Sequence, residues 1–180
     1  MKRTPMLAAL AAFSILAGCD SSTPQLLSVE PVAGAEDTTI DASLLGTWQE
    51  QGEQDLMAIV RPADKGGYQI TVISGTTAIS LQAKLFTVKD AEFLDVMPDD
   101  GNDFRIPAHA VMRIWNSGAI LRWAFLDSDW LKQKAAALPS HAADGKMQLF
   151  APSADVRAFL TQYGTDDRAA GQAASWQRVQ

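Results

Sequence analysis

Two histidines, one cysteine and a short run of arginines are the side chains of this 180-residue chain whose types and spacing invite a chemical reading. His109 follows an acidic loop and precedes an alternating run, and Asp95 lies on the run before that loop. If the two runs pair antiparallel, the Asp95 carboxylate reaches the imidazole, the base–orienter relationship that general-base catalysis uses. No serine stands in a nucleophile-elbow context to complete it, so the couple is read as a satisfied cross-strand pair. His141 follows Pro139 in a loop and is read as solvated. A metal centre needs three or four clustered ligands, and no His, Asp or Glu spacing supplies them. Asp99-Asp100-Gly101-Asn102-Asp103 suggests calcium, but the glycine does not stand at position six behind alternating oxygen ligands. Asp and Asn beside Gly are turn residues. The expectation is no catalytic residue, no metal, no cofactor and no enzymatic activity.

The arginines sit on the most informative hairpin, Ala108–Trp115 and Ala119–Leu126 around Asn116-Ser117-Gly118. With Ser117 and Gly118 as the loop, Met112 pairs with Trp123, Ala110 with Phe125 and Ile114 with Leu121. One face is then wholly apolar, and a slip of one residue would scramble it. The same register sets Arg113 opposite Arg122, a destabilising juxtaposition of like charges, flanked by Trp115. Arg113, Arg122, Trp115, His109 and Asp95 therefore form one candidate binding patch, mixing arginine with an aromatic as interfaces do.

These residues must be held by strands. Short alternating runs predict eight: Leu44–Gln49, Leu56–Val60, Tyr68–Ile73, Ile79–Phe86, Ala91–Met97, the two hairpin arms and Lys146–Phe150. Ser128 is expected to cap a helix over Asp129–Leu138 that ends at Pro139, and Ser153 a helix reaching Tyr163, stopped by Gly164. Residues 164–180 are Ala-, Gln- and Gly-rich and are expected to be a frayed, disordered tail, with Trp176 the one residue able to pin it.

The first residues read differently. Lys2 and Arg3 precede an apolar run, Met6–Leu16, too short to span a bilayer. It ends in Leu16-Ala17-Gly18-Cys19, which carries the only cysteine. This resembles the bacterial lipoprotein signal, with cleavage between Gly18 and Cys19, a diacylglyceryl group on the thiol and acylation of the new amine. The resemblance implies a lipid anchor facing the periplasm of a Gram-negative envelope, with Asp20 favouring the inner membrane over the outer. Several acyl chains hold where one does not. Removing Lys2 and Arg3 takes the formal charge from -6 to -8, leaving no footprint for nucleic acid. Residues 1–18 are thus the signal peptide, 19–43 a lipidated flexible tether, and 44–163 the globular domain. Leu26, Leu27 and Val29 are able to dock on that domain as a short strand.

The domain resembles a family of uncharacterised bacterial envelope lipoproteins through Leu45-Gly46-Thr47-Trp48, Phe93-Leu94-Asp95, Leu126-Asp127-Ser128-Asp129-Trp130-Leu131 and Val156–Tyr163. Gly46-Thr47-Trp48 is also similar to the Gly-x-Trp signature of lipocalins, whose tryptophan plugs one end of an eight-stranded barrel. The fold expected is mainly β (α+β): an antiparallel up-and-down barrel or strongly curved sheet of about eight strands, lipocalin-like, with two C-terminal helices. Such a barrel is filled by its own side chains or holds one small ligand. Trp48, Ile70, Leu85, Met112 and Trp123 are bulky enough to fill it. Two functions follow as expectations: a membrane-tethered module binding a small apolar ligand or an envelope protein, and an immunity-type inhibitor or accessory that binds a periplasmic enzyme, toxin or secretion component.

Overall fold

In a computed structural model the chain is described over residues 26–37, 39–99, 108–135, 138, 140–143 and 146–179, with backbone alone for 140–143 and 146–148. Cys19, Gly18 and the rest of the leader lie outside these residues. Alternation from Gly46 onward builds β2 (Gly46–Glu50), β3 (Leu56–Pro62), β4 (Tyr68–Ser74), β5 (Thr77–Val88), β6 (Ala91–Pro98), β7 (His109–Asn116) and β8 (Ile120–Phe125). Each pairs antiparallel with the one before it. The ring closes through β11 (Ala174–Arg178), which lies between β8 and β2. This is the expected eight-stranded antiparallel barrel. Its eighth strand, however, is β11, whereas Lys146–Phe150 (β10) lies in a side sheet with β1 (Leu26–Ser28) and β9 (Ser140–Ala143).

The tail therefore corrects the sequence reading. Residues 174–178 are a wall of the barrel, and Trp176 is 0% exposed. Low intrinsic strand propensity of Ala174, Gln177 and their neighbours is overridden because two open strand edges and a core position await them. The tether is corrected likewise from Leu26 on. β1 pairs antiparallel with β7 and parallel with β10, and Val32 and Ala33 are buried.

Within the hairpin of β7 and β8 the register is Met112↔Phe125, Arg113↔Ala124, Ile114↔Trp123 and Trp115↔Arg122. It is two residues away from the expected one. The strand period is two, so a shift of two leaves the apolar face apolar, and face composition cannot detect it. Turn chemistry decides instead. Gly118 has φ +83° and takes the first central position, where a two-residue hairpin loop wants glycine. Its N–H donates to the Asn116 side chain at 2.9 Å, and Ser117 N–H donates to Ile120 O at 3.0 Å. The arginines are thereby moved out of opposition.

Two helices follow β8. α1 (Ser128–Lys134) is capped by Asp127, not Ser128: the Asp127 carboxylate accepts from Trp130 N–H at 2.8 Å. α1 is shorter than expected, ending at Ala135. α2 (Ser153–Tyr163) has no side-chain cap because its N-cap position is Pro152, which has no side-chain acceptor; Ser153, expected to cap, is the first helical residue and its hydroxyl donates to Glu30 at 3.3 Å. Gly164 ends α2 in a right-handed conformation, φ -65°.

The helices explain why β5 and β6 change character along their length. Outward residues Gln82 and Lys84 are polar, but Phe86 and Val88 further along are buried beneath α1 and α2, with Phe93, Val111, Leu131 and Leu160. Trp130, Phe159 and Tyr163 meet edge-on or tilted within this outer layer.

Inside the barrel, Trp48, Tyr68, Ile70, Val72, Leu81, Met112, Trp123 and Trp176 form a second cluster. A water-sized void would leave accessible surface on the side chains bordering it, and the buried members of this cluster show only 0–7%. The buried members of the cluster, Trp176 among them, pack closely, while Ile79, Leu85 and Phe125 beside them are only partly buried. One end is plugged by a 3-10 turn, Ala42–Leu44. Trp48 Nε1 donates to Leu44 O at 2.9 Å, and Arg178 lies over the Trp48 ring, 4.3 Å from its centroid, while donating to the carbonyls of Leu45 and Ser43. At the other end Leu27 and Phe150 pack onto the cluster from the side sheet.

Candidate functional site

A trough of about 680 Å³ opens on the outer wall of the barrel. Its floor is the outward row of β4, β5 and β6: Gln69, Gln82 and Met97 side by side, with Lys84 and Asp95 in the next row. One wall is the turn from Pro62 to Gly66, and the other is Val29 and Pro31, in the strap (residues 29–37) that follows β1. His109 closes one corner.

Asp95 organises this corner. It is 4% exposed, a cost that a carboxylate recovers only through hydrogen bonds. One oxygen accepts from Val32 N–H at 2.7 Å and Ala33 N–H at 3.0 Å, and the other meets His109 Nδ1 at 2.8 Å. In neutral His109 this bond places the proton on Nδ1 and leaves Nε2 as an acceptor. The expected Asp95–His109 contact is present. It arises because Asp95 pairs with Val111, two residues along β7 from His109, and the diagonal neighbours share a face. Sequence reasoning did not foresee the strap. Arg157 of α2 fastens the same segment by donating to Val32 O at 2.8 Å and to the Asp37 carboxylate at 2.7 Å.

The other three residues of the expected patch also meet. Arg113 and Arg122 both lie over the Trp115 ring, at 4.9 and 5.3 Å from its centroid. Arg113 is 8% exposed and also donates to Asp166 O at 3.2 Å. But the five residues do not make one surface. Val111, between His109 and Arg113 on the outward face of β7, is buried in the apolar layer beneath the helices. The patch is two separate clusters, and only Asp95 and His109 border the trough.

At the barrel end opposite the plug, Glu50 stands across from Trp176 in the β2–β11 pairing. Trp176 in turn lies 4.6 Å from Trp123, ring centroid to ring centroid. Glu50 Oε2 and both indole N–H groups are buried without a hydrogen-bond partner among the described residues. Burial, and secondarily the charge of Glu53, push the Glu50 carboxyl above its ordinary range. At the plugged end the opposite holds for Asp41: hydrogen bonding by the Ser43 hydroxyl lowers it, and burial only partly opposes this.

Two features escaped the sequence. Arg178 and Trp176 lie in the stretch read as a tail. Lys84 and Gln82 looked like an ordinary solvated face of β5, and only the turn and strap rising on either side make that face a floor. His141 is described by its backbone alone, in β9. Among the described residues no group of three or more His, Cys, Asp or Glu could hold a metal ion, and no helix is long and apolar enough to cross a membrane. No protein-family description, no curated protein and no solved structure matches the chain.

Proposed function

We propose that this chain is a lipid-anchored binding module of the bacterial envelope, and that its ligand is taken on the outer wall of the barrel, in the trough, rather than inside. The observation that carries this is the contrast between the two spaces. The buried side chains of the interior cluster are 0–7% exposed, whereas the trough offers about 680 Å³, within the range of small-molecule sites. Its lining mixes apolar groups, among them Val29, Pro31 and Met97, with polar ones, of which Asp95 and His109 are held in place by hydrogen bonds.

Anchorage at Cys19 rests on the leader sequence. Asp20 to Gln25 is the whole stretch between that residue and β1, so an acylated Cys19 holds the first strand within about 25 Å of the membrane. The leash is shorter than residues 19–43 implied, and the strap that walls the trough follows directly on the anchored strand.

A photo-crosslinking residue at Met97, in the trough, is expected to capture a small molecule in living cells, visible as a discrete mass shift on the intact protein. The same residue at Ile70, inside the barrel, is expected to capture none. Capture at Ile70 and not at Met97 would overturn the assignment. The protein is expected to incorporate labelled palmitate and Cys19→Ser to incorporate none, and a parent chain without label would contradict the anchor.

The Arg113–Trp115–Arg122 cluster favours a second reading, a protein contact on the far side of the buried Val111. Arginine flanking an aromatic is the composition enriched at interface centres.

A further inference from the structure

We propose that the trough selects amphipathic anions, molecules with a carboxylate or phosphate head and an apolar body. The proposal rests on the trough being the binding site.

It comes from asking which polar groups on its lining are already engaged. Asp95 is spent: both oxygens are held by Val32 N–H, Ala33 N–H and His109. Asp99 accepts from Gln69 Nε2 at 3.3 Å. Lys84 stands directly opposite Asp95 across the β5–β6 pairing, the position in which an ion pair is expected. Because the Asp95 oxygens are turned to the strap and to His109, the Lys84 ammonium is left with no partner among the described residues. Lys65, on the facing turn, has none either, and nor does the Gln82 carboxamide. The uncommitted groups thus include two cationic donors, Lys65 and Lys84, which look for an acceptor with negative charge, while Gln82 serves as donor or acceptor and His109 Nε2 accepts. Asp64, at the exposed tip of the turn, is the one acidic lining group left free. A chain lying from Lys84 toward the strap would cover Met97, Val29 and Pro31, which supply the apolar contact.

The turn also fixes where Lys84 sits. Gly67 has φ +79°, and a Cβ there would stand 2.4 Å from Ala83 O and 3.0 Å from Lys84 Cγ. Only glycine lets the turn close down on the lysine stem.

The test uses the mature chain, residues 19–180 with Cys19→Ser, produced without leader or lipid so that no detergent is needed. Dodecanoate, dodecyl phosphate and dodecanol are titrated below their micelle concentrations. Affinity is read by calorimetry and location by the side-chain amide NMR signals of Gln69 and Gln82. Both anions are expected to bind and to move those signals, their relative affinities showing which head is preferred, while dodecanol binds at least about tenfold more weakly, the worth of one charge-assisted hydrogen bond. Lys65→Gln/Lys84→Gln is expected to lose the same factor for the anions, with an unchanged melting temperature. Dodecanol matching the anions, or the double variant binding them undiminished while the amide signals still move, overturns the anion class and leaves the trough standing. If none of the three probes moves those signals, the trough itself falls.

Discussion

Replacing Arg178 with methionine keeps an apolar stem over Trp48 but removes the guanidinium that holds the Ser43 and Leu45 carbonyls. The expected cost is about 2–3 kcal/mol, since hydrogen bonds from a charged donor are worth more than neutral ones. It should appear as a lower urea midpoint with unchanged slope. Glu50 and Asp41 give the stability curve two opposing pH limbs. Glu50 is raised above 4.5, so the folded state holds its proton more tightly than the unfolded chain. Its favourable contribution is complete below pH 4.5 and is lost as pH rises through the folded value. Glu50→Gln should therefore raise the urea midpoint at pH 7, and this advantage should vanish below pH 4.5. Asp41 is lowered from 3.8, so its contribution is present above pH 3.8 and is lost as pH falls toward the folded value. Asp41→Asn should be less stable at pH 7 and should converge with the parent in acid. At the trough, Asp95→Ala leaves two strap amides without an acceptor. Hydrogen exchange at Val32 and Ala33 should then quicken by about tenfold or more, equivalent to about 1.4 kcal/mol of local opening.

At the scale of elements, β11 is the strand on which the barrel depends for closure. Removing residues 172–180 deletes Trp176 from the interior and leaves β2 and β8 with open edges, so the cooperative urea transition should disappear. Trp176→Ala alone should cost about 3–5 kcal/mol. A tail that merely frayed would make both changes silent. This element also marks where the sequence was legible and where it was not. β3 to β8 announce themselves by alternation, and the fold class follows from their number. Alternation reports faces, however, not neighbours. It could not separate two registers of the β7–β8 hairpin that differ by two residues, nor choose between β10 and β11 as the eighth strand. Gly118 carried the information for the first. For the second, Trp176 was the single local signal, and the decisive fact, two unsatisfied edges meeting around it, is a property of the closed ring. The Asp95–His109 pair was readable because antiparallel pairing of neighbouring strands fixes it. The trough was not, since its walls come from a turn and from a segment that looked like linker.

Across the whole molecule, the barrel serves as the scaffold. Three tryptophans, a tyrosine and branched aliphatics occupy its interior, a 3-10 turn bolted by Arg178 closes one end, and the helices cover one flank. Among the described residues, a trough opens on the outer wall between the Pro62–Gly66 turn and the strap that follows β1. The most direct test of this arrangement is a crystal structure of the full chain grown with dodecanoate. The carboxylate is expected beside Lys84 with the alkyl chain along Met97 and Pro31, while Trp48, Trp123 and Trp176 keep their places. An alkyl chain threaded among those three tryptophans, with the trough empty, would contradict the account.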